Sequence, residues 1–265
     1  MTGLLIAQDL VALAEEVARE AGQLVRDRRA ERAITVSATK TSPTDVVTES
    51  DHASEALIRE RLLSARPKDG FLGEEGDSIA GSSDVLWIVD PIDGTVNYLY
   101  DIPAYAVSIA ALYRDHVIAG VVHAPATRET WTATQGGGAF LNGRQIAVSG
   151  CSELPQALIG TGFSYEAGRR VAQARVVSAL LPRIRDIRRM GSAALDLCHV
   201  ASGRLDGYYE YGLAPWDRAA GGLVASEAGA VLRGPAGVVR SDDITVVAGP
   251  ALYPQLSVLL AELGA

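Results

Sequence analysis

The stretch from Leu86 to Tyr100, LWIVDPIDGTVNYLY, constrains this chain more than any other. Leu86 to Val89 form a short apolar run of the kind that makes a fully buried strand, and the polarity changes abruptly at Asp90. Pro91 fixes its own φ and biases Asp90 towards extended backbone. Asp90 and Asp93 therefore leave the end of the strand close together instead of spreading along a helix face. Two carboxylates so placed can hold a hard cation. Gly94 and Thr95 then offer a tight turn and a helix entry, where free backbone N–H groups and the helix dipole favour an anion such as phosphate. Read alone, a DG pair after a strand is more often a solvated turn.

Three further segments change that balance: GEEG around Glu74, TDVVTESD ending at Asp51, and WDRAAGG beginning at Trp216. With DPIDGT they resemble, in the same order, the signatures of the inositol monophosphatase family, the magnesium-dependent, lithium-sensitive phosphatases of sugars and polyols. The matched segments span most of the chain. The resemblance implies a layered α-β-α-β-α sandwich of the inositol monophosphatase / fructose-1,6-bisphosphatase type. It also implies one domain over residues 1–265 and a homodimer. Residues 1–148 would be an α+β half with most of the metal ligands, and 149–265 an α/β half.

Carried over position by position, the resemblance implies that Glu74, Asp90 and the Ile92 carbonyl hold one Mg²⁺. Asp90, Asp93 and Asp217 would hold a second, and a third, weaker ion is allowed near Glu74. It makes Asp51 and Thr95 the pair that activates water, with Glu74 beside them among the catalytic residues. It assigns substrate contacts to Asp93, Gly94, Thr95 and Asp217, to the turn Gly191, Ser192, Ala193 and Ala194, and to Glu210. Lys40 falls in a loop resembling the family's metal-sensing hairpin, and neither it nor Glu75 receives a role. VNY after DGT resembles the inositol type, so inositol-1-phosphate is the expected substrate. Histidinol phosphate, fructose-1,6-bisphosphate, or a regulatory binding role on the same fold are the alternatives.

Composition fits these expectations. A chain of 265 residues with 48% hydrophobic content can bury a substantial core. The net charge of −8 argues against nonspecific nucleic-acid binding, and leaves a phosphate substrate to find positive charge locally, from divalent ions. Cys151 and Cys198 stand in no metal-type spacing, which points to a reduced compartment and ordinary packing. Neither a signal peptide nor a membrane span is legible, so a soluble cytoplasmic protein without a membrane partner is expected. His52, His116, His123 and His199 fall outside every matched position and are expected to be structural or on the surface.

Along the chain, helix spacing marks Ile6 to Arg28 through Leu10, Leu13, Val17, Ala21 and Leu24. A second helix is expected up to about Arg66, capped by Thr44 or Asp45, with Asp51 about a turn and a half inside. Tyr105 to Gln135 alternates like antiparallel strands. Gln135 to Gly143, despite its glycines, lacks the Lys-Ser/Thr of a phosphate loop and reads as a hairpin. The second half alternates strand-like ALIGTG, DGYYEY and ITVVAG with helical segments, as α/β regions do.

Overall fold

The computed structural model describes residues 2–31, 36–40, 45–76, 78–233 and 243–264. In chain order it contains α1 (Thr2–Ala30), β1 (Val36–Thr39), β2 (Val46–Thr48), α2 (Glu49–Ala65), β3 (Gly70–Gly73), β4 (Val85–Asp93), α3 (Thr95–Leu99) and β5 (Ala106–Tyr113). Then follow β6 (His116–Ala124), β7 (Glu129–Thr134), β8 (Gly138–Leu141), β9 (Arg144–Gln145), β10 (Leu158–Thr161) and α4 (Ala167–Leu180). The rest is β11 (Asp186–Arg188), α5 (Ala193–Ala201), β12 (Gly207–Tyr211), α6 (Pro215–Glu227), β13 (Val231–Arg233), β14 (Ile244–Ala248) and α7 (Tyr253–Glu262).

Two sheets organise these elements. A seven-stranded sheet runs in the order β3-β4-β5-β6-β7-β8-β9, parallel only between β3 and β4. A five-stranded sheet runs β11-β10-β12-β14-β13, with parallel pairs on both sides of β10. The apolar stripe of α1 (Leu10, Ala14, Val17, Ala21) and Ile58 and Leu62 of α2 pack on Trp87, Val89 and Ile109 of the first sheet. The opposite face of that sheet, through Ile88, Ala110 and Val122, meets α5 and α6, which also touch Tyr208 and Val247 of the second sheet. Val176 and Leu180 of α4 and Leu256 and Leu259 of α7 cover its outer side, against Ile159 and Tyr209. The layering is thus helix, sheet, helix, sheet, helix, as expected for this α+β and α/β architecture.

Several expectations change in detail. The apolar run before Asp90 belongs to a strand that continues through Asp93, with Pro91 inside it. The second helix does not start near Asp45: residues 46–48 pair with β1 as a strand, so Thr48 becomes the cap. Thr44 lies outside the described residues. The glycine-rich segment is a hairpin arm, β8 paired with β7 and β9, as read from the sequence. His123 is buried with Nδ1 2.9 Å from Thr130 Oγ1, and its desolvation pulls its pKa down to about 4, so it stands as a neutral packing residue. Among the described residues no helix is long and apolar enough to cross a membrane.

Candidate active site

The site begins with a fault in β4. Asp90 pairs with Ser108 of β5, whereas Asp93 pairs with Ala106, so one strand spends an extra residue where the other does not. In a regular strand two residues three apart point to opposite faces. The bulge cancels that alternation. Packing records the reversal: Ile88 faces the α5/α6 core, but Ile92 joins Val25 and Tyr98. Asp93 then points the same way as Asp90. Bulge polar groups are satisfied locally, with Ile92 N donating to Asp90 Oδ1 at 3.1 Å and Ser54 Oγ to the Pro91 carbonyl at 3.1 Å.

A third carboxylate arrives from α6. Ser108, opposite Asp90, donates to the Trp216 carbonyl at 3.2 Å and ties the start of that helix to the bulge. Asp217 is the third residue of α6, and its Oδ2 accepts from the Ala214 backbone N–H at 2.6 Å. One oxygen closes the helix, which the dipole favours, and the other remains for the site. Carboxylate oxygens of Asp90, Asp93 and Asp217 come within 4.8 Å of one another.

Asp51 repeats this device on α2. It is the third helical residue, and its Oδ2 accepts from Thr48 N at 2.8 Å and Thr48 Oγ1 at 2.5 Å, completing a capping box. Its Oδ1 accepts from Thr95 Oγ1 at 3.0 Å. Thr95 opens α3, and Gly94 before it has φ +93°, a left-handed conformation that glycine adopts without strain. The Thr95 hydroxyl also lies 3.0 Å from the Ile92 carbonyl.

The 191–194 turn is built around Asp93. Ser192 Oγ donates to Asp93 Oδ2 at 2.5 Å and the Ala194 N–H donates to the same oxygen at 2.7 Å, so the start of α5 clamps this carboxylate. Asn97 Nδ2 reaches the Met190 carbonyl at 2.8 Å and fixes the turn to α3. Glu74 stands at the edge of the trio and turns to Lys40, whose Nζ lies 2.6 Å from both Glu74 Oε1 and Glu75 Oε1. Burial opposes the Lys40 charge, but Glu74 and Glu75 overrule it and hold the ammonium well above its ordinary value.

Burial raises Asp90, Asp93 and Asp217, and repulsion from neighbouring carboxylates adds to it. Asp90 is pushed well up by desolvation and then by Glu74, Asp93 and Asp217. Asp217, nearer the surface, is pushed well up by desolvation of its carboxyl and by Glu74 and Asp93. Asp93 rises to about 6 by desolvation, although the Ser192 and Ala194 donors oppose it. Glu75 reaches about 7, again by desolvation first. Three gathered carboxylates with no cation among them are a poor structural element and a fitting cation site. Their donors are all oxygen, without His or Cys, which suits Mg²⁺, Ca²⁺ or Mn²⁺ rather than Zn²⁺.

Beyond Asp217 the site opens into a cavity of about 460 Å³ lined by Phe163, Tyr165, Val176, Leu213 and Glu210. Tyr208 donates its hydroxyl to Glu210 Oε2. A Cβ at Gly162 would overlap the Glu210 carboxylate, so that glycine is the seat of the acid. Desolvation lifts Glu210 to about 7 against the pull of Tyr208 and Arg189.

The structure thus gathers Asp90, Asp93 and Asp217, pairs Asp51 with Thr95, and places Glu210 in the adjoining cavity. It sets Glu74 beside Asp90 at the edge of the trio, bonded to Lys40, and it shows Gly191, Ser192 and Ala193 in the turn that clamps Asp93. Sequence reading missed that clamp and the Tyr208 to Glu210 bond. The Ser192 clamp had a signal, a serine directly before the helical run AALDL, which marks an N-cap.

Known proteins resemble this chain along most of its length. The chain is 46% identical over 266 residues to the inositol-1-monophosphatase SuhB of Mycobacterium tuberculosis, covering 93% of this chain and 91% of that protein. It is 41% identical over 231 residues to the Nus factor SuhB of Pseudomonas aeruginosa, covering 85% of each. Among solved structures, the extragenic suppressor protein suhB of Bartonella henselae superposes with a TM-score of 0.88 at 35% identity, over 95% of this chain and 98% of that one. The family model for inositol monophosphatases matches residues 7–263, and with the acids of its motifs assembled in one site the chain belongs to the inositol monophosphatase family and is a phosphatase of that family.

Proposed function

We propose that the protein is a Mg²⁺-dependent phosphomonoesterase that hydrolyses inositol-1-phosphate to inositol and phosphate. The observation that carries this reading is the juxtaposition of the Asp90, Asp93 and Asp217 oxygens, within 4.8 Å, with a Thr95 hydroxyl bonded at 3.0 Å to Asp51. Asp90, Asp93 and Asp217 would hold one Mg²⁺, and Glu74, Asp90 and the Ile92 carbonyl another. Lys40 holds Glu74 when the acid is not a ligand. When bound, Mg²⁺ supplies positive charge to the phosphate oxygens and acidifies the attacking water.

The chain's own residues do the rest. Thr95 Oγ1 accepts a proton from the water while passing its own to Asp51 Oδ1, whose pKa burial has raised, making it the better base. The first N–H groups of α3, which have no partner within the helix, face the phosphate. Ser192 and Ala194 keep Asp93 in its rotamer throughout. Glu210, on the cavity side, accepts hydrogen bonds from hydroxyls of the leaving alcohol.

Relatives carry names of two kinds, inositol-1-monophosphatase and Nus factor. The assembled acids favour the catalytic reading. Phosphate release from inositol-1-phosphate, histidinol phosphate and fructose-1,6-bisphosphate, with Mg²⁺ titrated, tests it. Preference for the inositol ester and dependence on Mg²⁺ are expected, and release that is indifferent to Mg²⁺ overturns the reading. Lithium is expected to inhibit, since a single charge in a Mg²⁺ position cannot supply the same field.

A further inference from the structure

We infer that Tyr208 is a positioning residue of this site: by donating its hydroxyl to Glu210 Oε2 it holds that carboxylate in one pose and leaves Oε1 to accept from a hydroxyl of the leaving alcohol. The inference rests on the phosphatase reading above and adds a residue that neither the sequence motifs nor that reading had used.

Tyr208 and Glu210 are two apart on β12, so their side chains leave the same face of the second sheet. The neighbouring β10 is parallel, with Gly160 opposite Tyr208. Side chains on that strand would fill the space that both residues need. Tyr208 Cδ2 lies 3.2 Å from where a Cβ on Gly160 would be, and a Cβ on Gly162 would overlap the Glu210 carboxylate. Two bare α-carbons on one face therefore seat the ring and the acid side by side. The ring is fully buried in the core that also holds Leu197 and Val247, where close packing keeps it from following the carboxylate.

The two ends of this bond differ in access. Glu210 lines the cavity beyond Asp217, whereas Tyr208 is fully buried. Tyr208 therefore acts on a bound substrate through Glu210. Among the described residues it is the single hydrogen-bond donor to that acid. Asp51 and Asp217 each tie one oxygen to the start of a helix and keep the other for the site. Glu210 stands in a strand and has no helix start beside it, so Tyr208 supplies the donor instead. Without one, the long Glu210 side chain would be ordered only when a hydroxyl bound it, at a cost to affinity.

The test compares kcat/KM for inositol-1-phosphate with that for a hydroxyl-free alkyl phosphate across pH, in wild type, Tyr208→Phe, Glu210→Gln and Tyr208→Phe/Glu210→Gln. In Tyr208→Phe the ratio is expected to fall about tenfold, the scale of one hydrogen bond to a charged group, mainly through KM for the inositol ester. The double variant should match Glu210→Gln, because Tyr208 works through that acid. The pH profile separates positioning from mere support of the fold. Desolvation lifts Glu210 to about 7 and the Tyr208 bond pulls against it, so without that donor the carboxyl keeps its proton to higher pH. The pH below which the inositol preference disappears should therefore be higher in Tyr208→Phe. Arg189, Asp93, Asp196 and Asp217 also act on Glu210, but they are the same in both proteins, so the difference reads Tyr208. Should Tyr208→Phe not fold, 3-fluorotyrosine at this position keeps the ring and strengthens the donor, and the same midpoint should fall. A ratio or a midpoint that stays put in the variant that folds overturns the inference, as does a Tyr208→Phe loss that persists in the Glu210→Gln background. A wild type that hydrolyses both esters equally well removes the inference and leaves the phosphatase reading standing; one that hydrolyses neither overturns both.

Discussion

Thr95 gives its hydroxyl to Asp51 at 3.0 Å, joining the start of α3 to the start of α2 across 44 residues of sequence. If the two move one proton together, each alone is necessary. Thr95→Ala and Asp51→Asn are each expected to lower kcat by about 10²- to 10⁴-fold, the usual worth of a positioned acid or base. The double variant should lose little more than the worse single. Steady-state kinetics decides it, and losses that multiply would assign independent roles.

Asp90 is the acid most pressed by its neighbours, and the only one proposed to serve both ions. Asp90→Asn is expected to abolish nearly all turnover and to raise the Mg²⁺ needed for half-saturation by more than about tenfold. In metal-free protein the same change removes repulsion, so the melting temperature should rise. Calorimetric Mg²⁺ titration and thermal melts read both, and wild-type turnover at millimolar Mg²⁺ would overturn the shared-ligand role.

Metal-free protein should lose stability as pH rises. An acid whose folded pKa is raised keeps its proton after the unfolded chain has released it. Each therefore destabilises the fold progressively above about pH 4, and fully once pH passes the folded value. For Asp93, raised to about 6, the loss is on the order of 3 kcal/mol; Asp90 and Asp217 extend the window higher. Melts in chelator from pH 5 to pH 8 should fall, and saturating Mg²⁺ should flatten the trend. A chelated protein that grows more stable over this range contradicts the raised values.

Glu210→Gln is expected to reduce the preference for inositol-1-phosphate over a plain alkyl phosphate by about tenfold to a hundredfold, the scale of a buried group left unpaired. Mg²⁺ affinity should be spared. Gly162→Ala should do the same by a different route, since its new methyl overlaps the Glu210 carboxylate. An unchanged ratio in both variants would remove Glu210 from the substrate site.

Much of the fold was legible because periodicity survives without neighbours. The α1 stripe, the β5 to β7 alternation and the strand-helix rhythm of the second half all appear where the sequence puts them. The α2 boundary was misplaced because β2 pairs with β1, a tertiary fact that displaces Asp45 as a cap. Likewise, the contact of Ser192 with Asp93 spans 99 residues and leaves no periodic trace. The meeting of Lys40 with Glu74 depends on two loops whose relative position no local pattern encodes.

The bulge between Asp90 and Asp93 makes the motif sensitive to counting more than to chemistry. Its middle residues contribute a backbone step, and the step is what brings Asp93 into phase with Asp90. A conservative replacement of Ile92 should therefore be tolerated far better than insertion of one more residue into this interval. An inserted residue would put Asp93 one step out of phase with Asp90 and swing it towards the α1 side, leaving composition almost intact and the site dismantled. In such a protein a single-codon gain here is a more severe lesion than most missense changes.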